Sequence, residues 1–190
     1  MEKIKKLKKF FNLYKLDGYL VPKNDEFFGE YISKSKDKLN FISNFSGSYG
    51  FAIILKKKNY LFVDGRYTLQ AKLESSRKFD IVTIPNKSPS EVLGKKKFKI
   101  GFDPTLHTLK SLKMIFNKTN CKLIPIQKNL IDEIWKRKKK KNKQEFFVLP
   151  KKAKNFSYHS KLSRLMQNLK KKKIDFQLIT ASENIAWLLN

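Results

Sequence analysis

The sequence predicts an α/β fold, a mixed β-sheet flanked by helices, followed by the truncated start of a second domain of similar plan. Three observations carry this expectation. Short β-rich runs alternate with helical stretches through the first 135 residues; two of those runs, 51–55 and 60–63, are separated only by Lys56-Lys57-Lys58-Asn59; and the opening pattern of helix then strand returns near the other end of the chain.

Ile4, Leu7, Phe11 and Tyr14 recur at three- and four-residue spacing between lysines, the pattern of a helix covering a core with one face. Glycine tolerates the left-handed backbone that ends helices, so Asp17-Gly18 is read as the stop. Tyr19-Leu20-Val21, closed by Pro22, reads as a short buried strand. The runs 51–55 and 60–63 then form a hairpin across their polar turn. Residues 66–76 hold helix formers and no breaker, and 79–84 gives a strand before Pro85. A further strand is expected at 99–102. Leu109, Leu112 and Phe116 make a helical stripe for which Asp103-Pro104 is read as the capping turn, and 122–126 supplies the last strand.

Past Trp135 the chain turns into Lys136-Arg137-Lys138-Lys139-Lys140-Lys141-Asn142-Lys143, like charges that repel one another and do not pack. The expected domains are therefore 1–135, a basic linker over 136–154, and the incomplete start of a second domain over 155–190. In that last segment Leu162, Leu165, Met166 and Leu169 mark a helix, and Asp175-Phe176-Gln177-Leu178-Ile179 echoes Asp17-Gly18-Tyr19-Leu20-Val21 as a strand. Some 36 residues are too few to close a core, so Phe176, Leu178, Ile179, Ile185, Trp187, Leu188 and Leu189 should leave an apolar patch unless they dock on the first domain or on another chain.

Composition narrows the function classes. In 190 residues 41% are hydrophobic, enough for a core, and no apolar run reaches the roughly 20 residues of a membrane helix. Neither a membrane partner nor a signal sequence is expected, and the location expected is cytoplasmic. The single cysteine, Cys121, is read as core filler. A formal charge of +27 invites a nucleic-acid reading, but just four of the 43 basic residues are arginine. Lysine, asparagine, isoleucine and phenylalanine are abundant together, as in chains with A/T-rich codons, and that reading disfavours nucleic acid as a partner. The alternative kept open is a Lys-rich module that binds nucleic acid or anionic surfaces.

A family resemblance rests on particular residues. Leu16-Asp17-Gly18-Tyr19-Leu20-Val21-Pro22 with Asp25-Glu26 and Glu30-Tyr31-Ile32, the Gly/Ser-rich run 41–50, and above all Val63-Asp64-Gly65-Arg66-Tyr67 with Leu69-Gln70-Ala71 are similar to the amino-terminal region of the Xaa-Pro aminopeptidases, in the creatinase and prolidase superfamily. Ile100-Gly101-Phe102-Asp103-Pro104 and the run 129–135 resemble the end of that region's first domain, and 180–190 resembles the start of the second. Phe27, Asn44 and Tyr49 depart from the family pattern. The resemblance implies a full enzyme that removes an amino-terminal residue preceding proline. It also implies a carboxy-terminal catalytic domain holding two divalent metals, usually manganese, and a homo-oligomeric assembly. The present chain is then a non-catalytic portion serving assembly and substrate gating.

Candidate sites follow. A dinuclear centre needs two or three His or carboxylate ligands per ion, and His107 and His159, the only histidines, have no ligand-spaced carboxylate beside them. Both are read as surface or capping residues. No catalytic or metal-binding residue is assigned. Asp25-Glu26 and Asp132-Glu133 are sequence neighbours whose side chains point apart in extended chain. Asp64-Gly65-Arg66-Tyr67 has two readings. In one, Asp64 caps the following helix, Gly65 permits a sharp turn and Arg66 makes an internal ion pair. In the other, Asp64 and Arg66 belong to a substrate gate, with Arg66 holding a peptide carboxylate or carbonyl at a neighbouring subunit's active site.

Overall fold

The computed structural model describes residues 2–29, 31–137, 147–153 and 155–190. They divide into two compact units, Met1–Glu26 with Glu30–Arg137, and Phe27–Gly29 with Lys138–Asn190. The basic linker expected at 136–154 falls for the most part on residues 138–146 and 154, outside the described residues.

The first unit is built on a six-stranded sheet of β1 (Gly18–Pro22), β2 (Gly50–Leu55), β3 (Asn59–Asp64), β4 (Asp80–Ile84), β5 (Lys99–Phe102) and β6 (Lys122–Pro125), in the order β4-β3-β2-β1-β5-β6. Strand β2 runs antiparallel to both neighbours and every other pair is parallel, so the sheet is mixed. Helices α1 (Glu2–Leu13), α2 (Lys38–Ser43), α3 (Thr68–Ser75), α4 (Pro89–Leu93), α5 (Leu109–Ile115) and α6 (Leu130–Ile134) flank it. The strands alternate residue by residue between two cores. Tyr19, Val21, Ala52, Ile54, Leu61 and Val63 join Ile4, Leu7 and Phe11 of α1 and Leu130 and Ile131 of α6 in one; Leu20, Ile53, Phe62, Ile100 and Phe102 meet Leu93 of α4 and Leu112 of α5 in the other. Burial on both faces is why β1 and β2 read as unbroken apolar runs.

The first helix ends differently from expectation. Lys15, not Gly18, takes the left-handed conformation, with φ 52°, and the Lys15 and Leu16 amides close the end by donating to the Asn12 and Phe11 carbonyls at 3.2 and 2.8 Å. Gly18 is already the first residue of β1. A β-carbon there would lie 2.6 Å from Leu55 Cδ2 and 2.8 Å from the Ile54 carbonyl oxygen, so close backbone approach explains the glycine. Asp17 before it ties three strands together. Its amide donates to the Lys99 carbonyl at 2.8 Å, its carboxylate accepts from the Lys99 amide at 2.9 Å, and its carbonyl accepts from the Lys56 amide at 3.0 Å.

Two other assignments need correction. Asp103 caps the short 3-10 turn Pro104–Leu106 by accepting from the Thr105 amide at 2.9 Å, while α5 is capped by Thr108, which accepts from the Ser111 amide at 3.1 Å. Leu109 is exposed, leaving Leu112 and Phe116 as the buried stripe. His107 follows the 3-10 turn as its C-cap, but it is no surface residue. It is buried edge-on against Phe102, and among the described residues its Nε2 has no hydrogen-bond partner. Burial disfavours the imidazolium and pushes the His107 pKa down to about 4, against a smaller opposing pull from Asp103.

In the second unit Ser157 caps α7 (Tyr158–Lys171) and α8 (Ser182–Leu189) follows. The expected strand at 175–179 does not form. A strand needs a hydrogen-bonding neighbour, and no other strand is present among the described residues of this unit. Phe176, Leu178 and Trp187 are exposed, as anticipated for an incomplete core, and Lys161 Nζ lies 4.6 Å over the Trp187 ring. His159 is exposed in the first turn of α7 with its ring 3.9 Å from that of Tyr158.

Gly18→Ala should lower the stability of the first unit by about 1–3 kcal/mol through overpacking, measured by urea unfolding. His107 supplies a pH signature. Its folded pKa lies below the unfolded value, so the unfolded state binds more protons between about pH 6.5 and 4; the contribution is complete above the upper value and is lost as pH falls through this window. His107→Gln should flatten the stability curve there, by roughly 3 kcal/mol of slope-integrated difference, read from urea midpoints at several pH values.

Candidate active-site edge

All strands except β2 point the same way, so their carboxyl ends, with the segment entering β2, share one edge of the sheet, the place where open α/β sheets present their loops to ligands. Asp64 is the last residue of β3. Its Oδ1 accepts from the Arg66 amide at 2.9 Å, which caps the 3-10 turn Gly65–Tyr67 leading into α3. The Arg66 guanidinium folds back onto the same carboxylate, Nη2 donating to Oδ2 at 2.6 Å and Nε at 3.1–3.2 Å to both oxygens. This fork holds the Asp64 carboxyl below the ordinary carboxylate range and raises the guanidinium further. Asp64 is thus both the cap of this turn and the ion-pair partner of Arg66. Yet the Arg66 side chain remains 75% exposed, with its outer face open.

Gly65 does not have the role expected from the sequence. Its φ is not positive, and a β-carbon there would meet nothing within 4 Å among the described residues, so neither the turn nor packing requires glycine. Gly47, by contrast, sits where a β-carbon would strike the Phe45 and Tyr67 rings. Tyr67 stands edge-on to Phe45 at 5.9 Å and shares a 2.7 Å hydrogen bond with the Ser48 hydroxyl. The Arg66 guanidinium carbon lies 5.4 Å from the Tyr67 ring centre.

The loop entering β2 is held by residues the sequence reading passed over. Glu74, near the end of α3, accepts from the Ser46 amide at 2.8 Å and from the Ser46 hydroxyl at 2.7 Å, and Gln70 one turn earlier donates to both Ser46 and Glu74. Partial burial alone would raise the Glu74 carboxyl; the Ser46 and Gln70 donors outweigh it and lower the pKa. The signal available was Gln70 and Glu74 at i, i+4 on one helix face, together with the Ser/Gly loop. Beside Asp64 lies an apolar hollow of about 430 Å³ lined by Tyr49, Phe51, Ile84, Pro85, Met114 and Ile115 among others.

Nearby acids serve the fold. Asp103 is buried and accepts from Asn129 at 2.7 Å and from the Thr105 hydroxyl at 2.7 Å. Asp132 pairs with Lys38 at 3.7 Å and with Arg137. Asp37 takes the buried Lys23 ammonium at 2.5 Å while capping α2. Among the described residues no group of three His, Cys, Asp or Glu side chains is arranged to hold a metal ion, so the ions implied by the resemblance find no fitting site here. Burial pushes the Cys121 thiol up, away from nucleophilic use.

The model of the creatinase/prolidase N-terminal domain matches residues 3–134. The chain belongs to this family. A second family model of the same description matches residues 136–190. The chain is 31% identical over 199 residues to a probable Xaa-Pro aminopeptidase P of Laccaria bicolor, covering all of this chain and 31% of that relative. It is 34% identical over 188 residues to one from Pyricularia oryzae, covering 92% and 30%. The chain thus spans about a third of the length of the curated relatives it matches. Among solved structures, the X-prolyl aminopeptidase of Caenorhabditis elegans, described as a cytosolic enzyme with a di-nuclear active site, superposes with a TM-score of 0.71 at 26% identity over 98% of this chain and 34% of that one. The N-terminal domain of a cytoplasmic peptidase from Mycobacterium tuberculosis, 19% identical with a TM-score of 0.54, covers 70% of this chain and shares the fold.

Proposed function

We propose that the chain acts as the non-catalytic amino-terminal portion of a Xaa-Pro aminopeptidase, serving assembly and substrate gating for an enzyme that removes the residue before an amino-terminal Xaa-Pro bond. One observation carries the reading: full-length similarity to relatives named for that activity, joined to the absence, among the described residues, of any cluster able to hold a metal ion. In this reading the two divalent ions, manganese by resemblance, bind in a carboxy-terminal catalytic domain outside residues 1–190. The di-nuclear site described for the Caenorhabditis elegans enzyme supports that division of labour. The cytosolic description of that enzyme supports a cytoplasmic setting, and no helix among the described residues is long and apolar enough to cross a membrane.

The gating role rests on Arg66 and Asp64. A guanidinium fixed by a carboxylate two residues away, yet largely exposed, is a preorganised donor that reaches a peptide carboxylate or carbonyl without first paying the entropy of ordering a free side chain. In a homo-oligomer this edge is placed toward a neighbour's active site, with the Xaa-Pro peptide between them.

Arg66→Ala in the full-length enzyme should raise KM for an Xaa-Pro peptide severalfold while leaving Tm unchanged; loss of Tm with KM intact would make the residue a purely structural one. The purified chain of 190 residues should release no amino acid from an Xaa-Pro peptide with or without added manganese, followed by free-amine detection, and measurable turnover would refute the division proposed.

A further inference from the structure

The lysines are not spread evenly over the first unit. The segments at the amino ends of the parallel strands, 15–17, 56–58, 77–80, 95–99 and 118–122, hold twelve basic side chains against two acidic ones, Asp17 and Asp80. The described segments at the opposite edge, 23–26, 31–37, 44–49, 64–67, 85–88, 103–108 and 126–129, hold six basic and five acidic. Cations are also denser at the first edge, twelve in 20 residues against six in 35, whereas a codon bias that adds lysine indiscriminately would load both edges alike. One edge is balanced by carboxylates and the other is left uncompensated. All twelve cations of the basic edge are exposed except Lys78, which is half-buried.

This edge also has a hollow. A concavity of about 340 Å³ is floored by Leu55, Val92 and Leu93, walled by the half-buried rings of Tyr60 and Phe98, and rimmed by Lys56, Lys57, Lys58 and Lys96. Lys96 Nζ lies 6.0 Å from the Phe98 ring centre. The single carboxylate in the lining, Asp17, is occupied by the Lys99 amide at 2.9 Å and stands 3.5 Å from Lys56 Nζ. An apolar, aromatic-walled hollow inside a ring of cations is complementary to a ligand that is flat and apolar in one part and repeatedly anionic in another.

We infer that the amino-end edge of the sheet binds single-stranded nucleic acid, with phosphates on the lysine rim and a base seated between Tyr60 and Phe98. Six strands about 4.8 Å apart give an edge of roughly 24 Å, long enough for several successive phosphates. The strand must be single because a base reaches the hollow only when free of its stack. Lysine dominates the edge and Arg77 is its one arginine, so contacts go to phosphate as point charges and binding has no sequence preference. A membrane surface fits less well, because recessed rings do not insert into lipid. An acidic protein segment would use the rim and leave the hollow empty.

The test is fluorescence anisotropy of labelled 12-mer oligouridylate and oligothymidylate with the whole 190-residue chain, titrated from low salt to about 150 mM. Binding should stay measurable at the upper salt. Replacing Lys56, Lys57 and Lys58 together by Gln should weaken it at least ~10-fold and reduce the log–log salt slope by about 2, as expected for three lost phosphate contacts on a single strand. The same charge removed from the balanced edge, as Lys34→Gln, Lys87→Gln and Lys128→Gln, should change affinity less than about 2-fold. Inorganic polyphosphate of matched charge should compete at least ~10-fold less well, for want of a base to stack. Circular dichroism melts confirm that each variant folds. Equal losses from the two edges, or loss only when Lys138, Lys139, Lys140 and Lys141 are replaced by Gln, would overturn the assignment. So would polyphosphate or phosphatidylserine vesicles competing as well as the oligonucleotide.

Discussion

Strand β1 meets no water on either face. Tyr19 and Val21 enter one core, Leu20 the other, and β2 and β5 occupy both of its edges. Such a strand has no slack, because each neighbour is fixed from two sides. Two residues satisfy the constraint. Gly18 lets β2 approach to a distance that any side chain would forbid, and Asp17 hydrogen-bonds the exit of β2 and the entry of β5 to the start of β1. The antiparallel hairpin and the parallel half of the sheet therefore register against one two-residue step. Gly101 repeats the device on β5, where a β-carbon would lie 2.6 Å from Leu16 Cδ1 and 3.0 Å from Tyr19 Cδ2. Close packing at these points fixes where every carboxyl end of the sheet lies.

At that carboxyl edge, rigidity comes from short polar links in place of burial. Glu74 grips Ser46, Tyr67 grips Ser48, and Thr68 and Thr83 share a 2.9 Å hydrogen bond that joins α3 to β4. Each link spans elements far apart in sequence. Together they hold Arg66 at a defined place while its guanidinium stays wet, an arrangement suited to meeting a ligand that arrives from outside.

Much of this was legible in the sequence. Every strand of the first unit was, because apolar runs, turn residues and length are local signals, and so was the cap role of Asp64. Short helices were missed. Helix α2 is six residues long and depends on Asp37 at one end and left-handed Asn44 at the other. Helix α4, of five residues, carries a full start signal in Ser88, Pro89 and Glu91, with the capping box formed, but too few apolar residues to show a period. The strand expected at 175–179 failed for the opposite reason. Its likeness to the opening strand was clear, and pairing is a non-local property that such likeness does not supply. His107 shows the same limit, since nothing next to it in sequence announces that Phe102 and its surroundings exclude water.

The two edges of the sheet differ in how they treat charge, and topology explains why the difference was invisible residue by residue. Lysines at 15, 57, 96 and 122 are scattered along the chain and become neighbours only because parallel strands start on the same side. Acidic residues at 25, 37, 64 and 103 lie at or after strand ends, where Asp37, Asp64 and Asp103 cap a helix or turn and Asp37 and Asp64 also take a cation. Caps belong at helix amino termini, and in a parallel α/β arrangement those termini lie at the carboxyl edge of the sheet. The fold thus draws carboxylates to one edge for structural reasons. A chain enriched in lysine is neutralised there, and its surplus positive field emerges from the other edge, around the hollow walled by Tyr60 and Phe98.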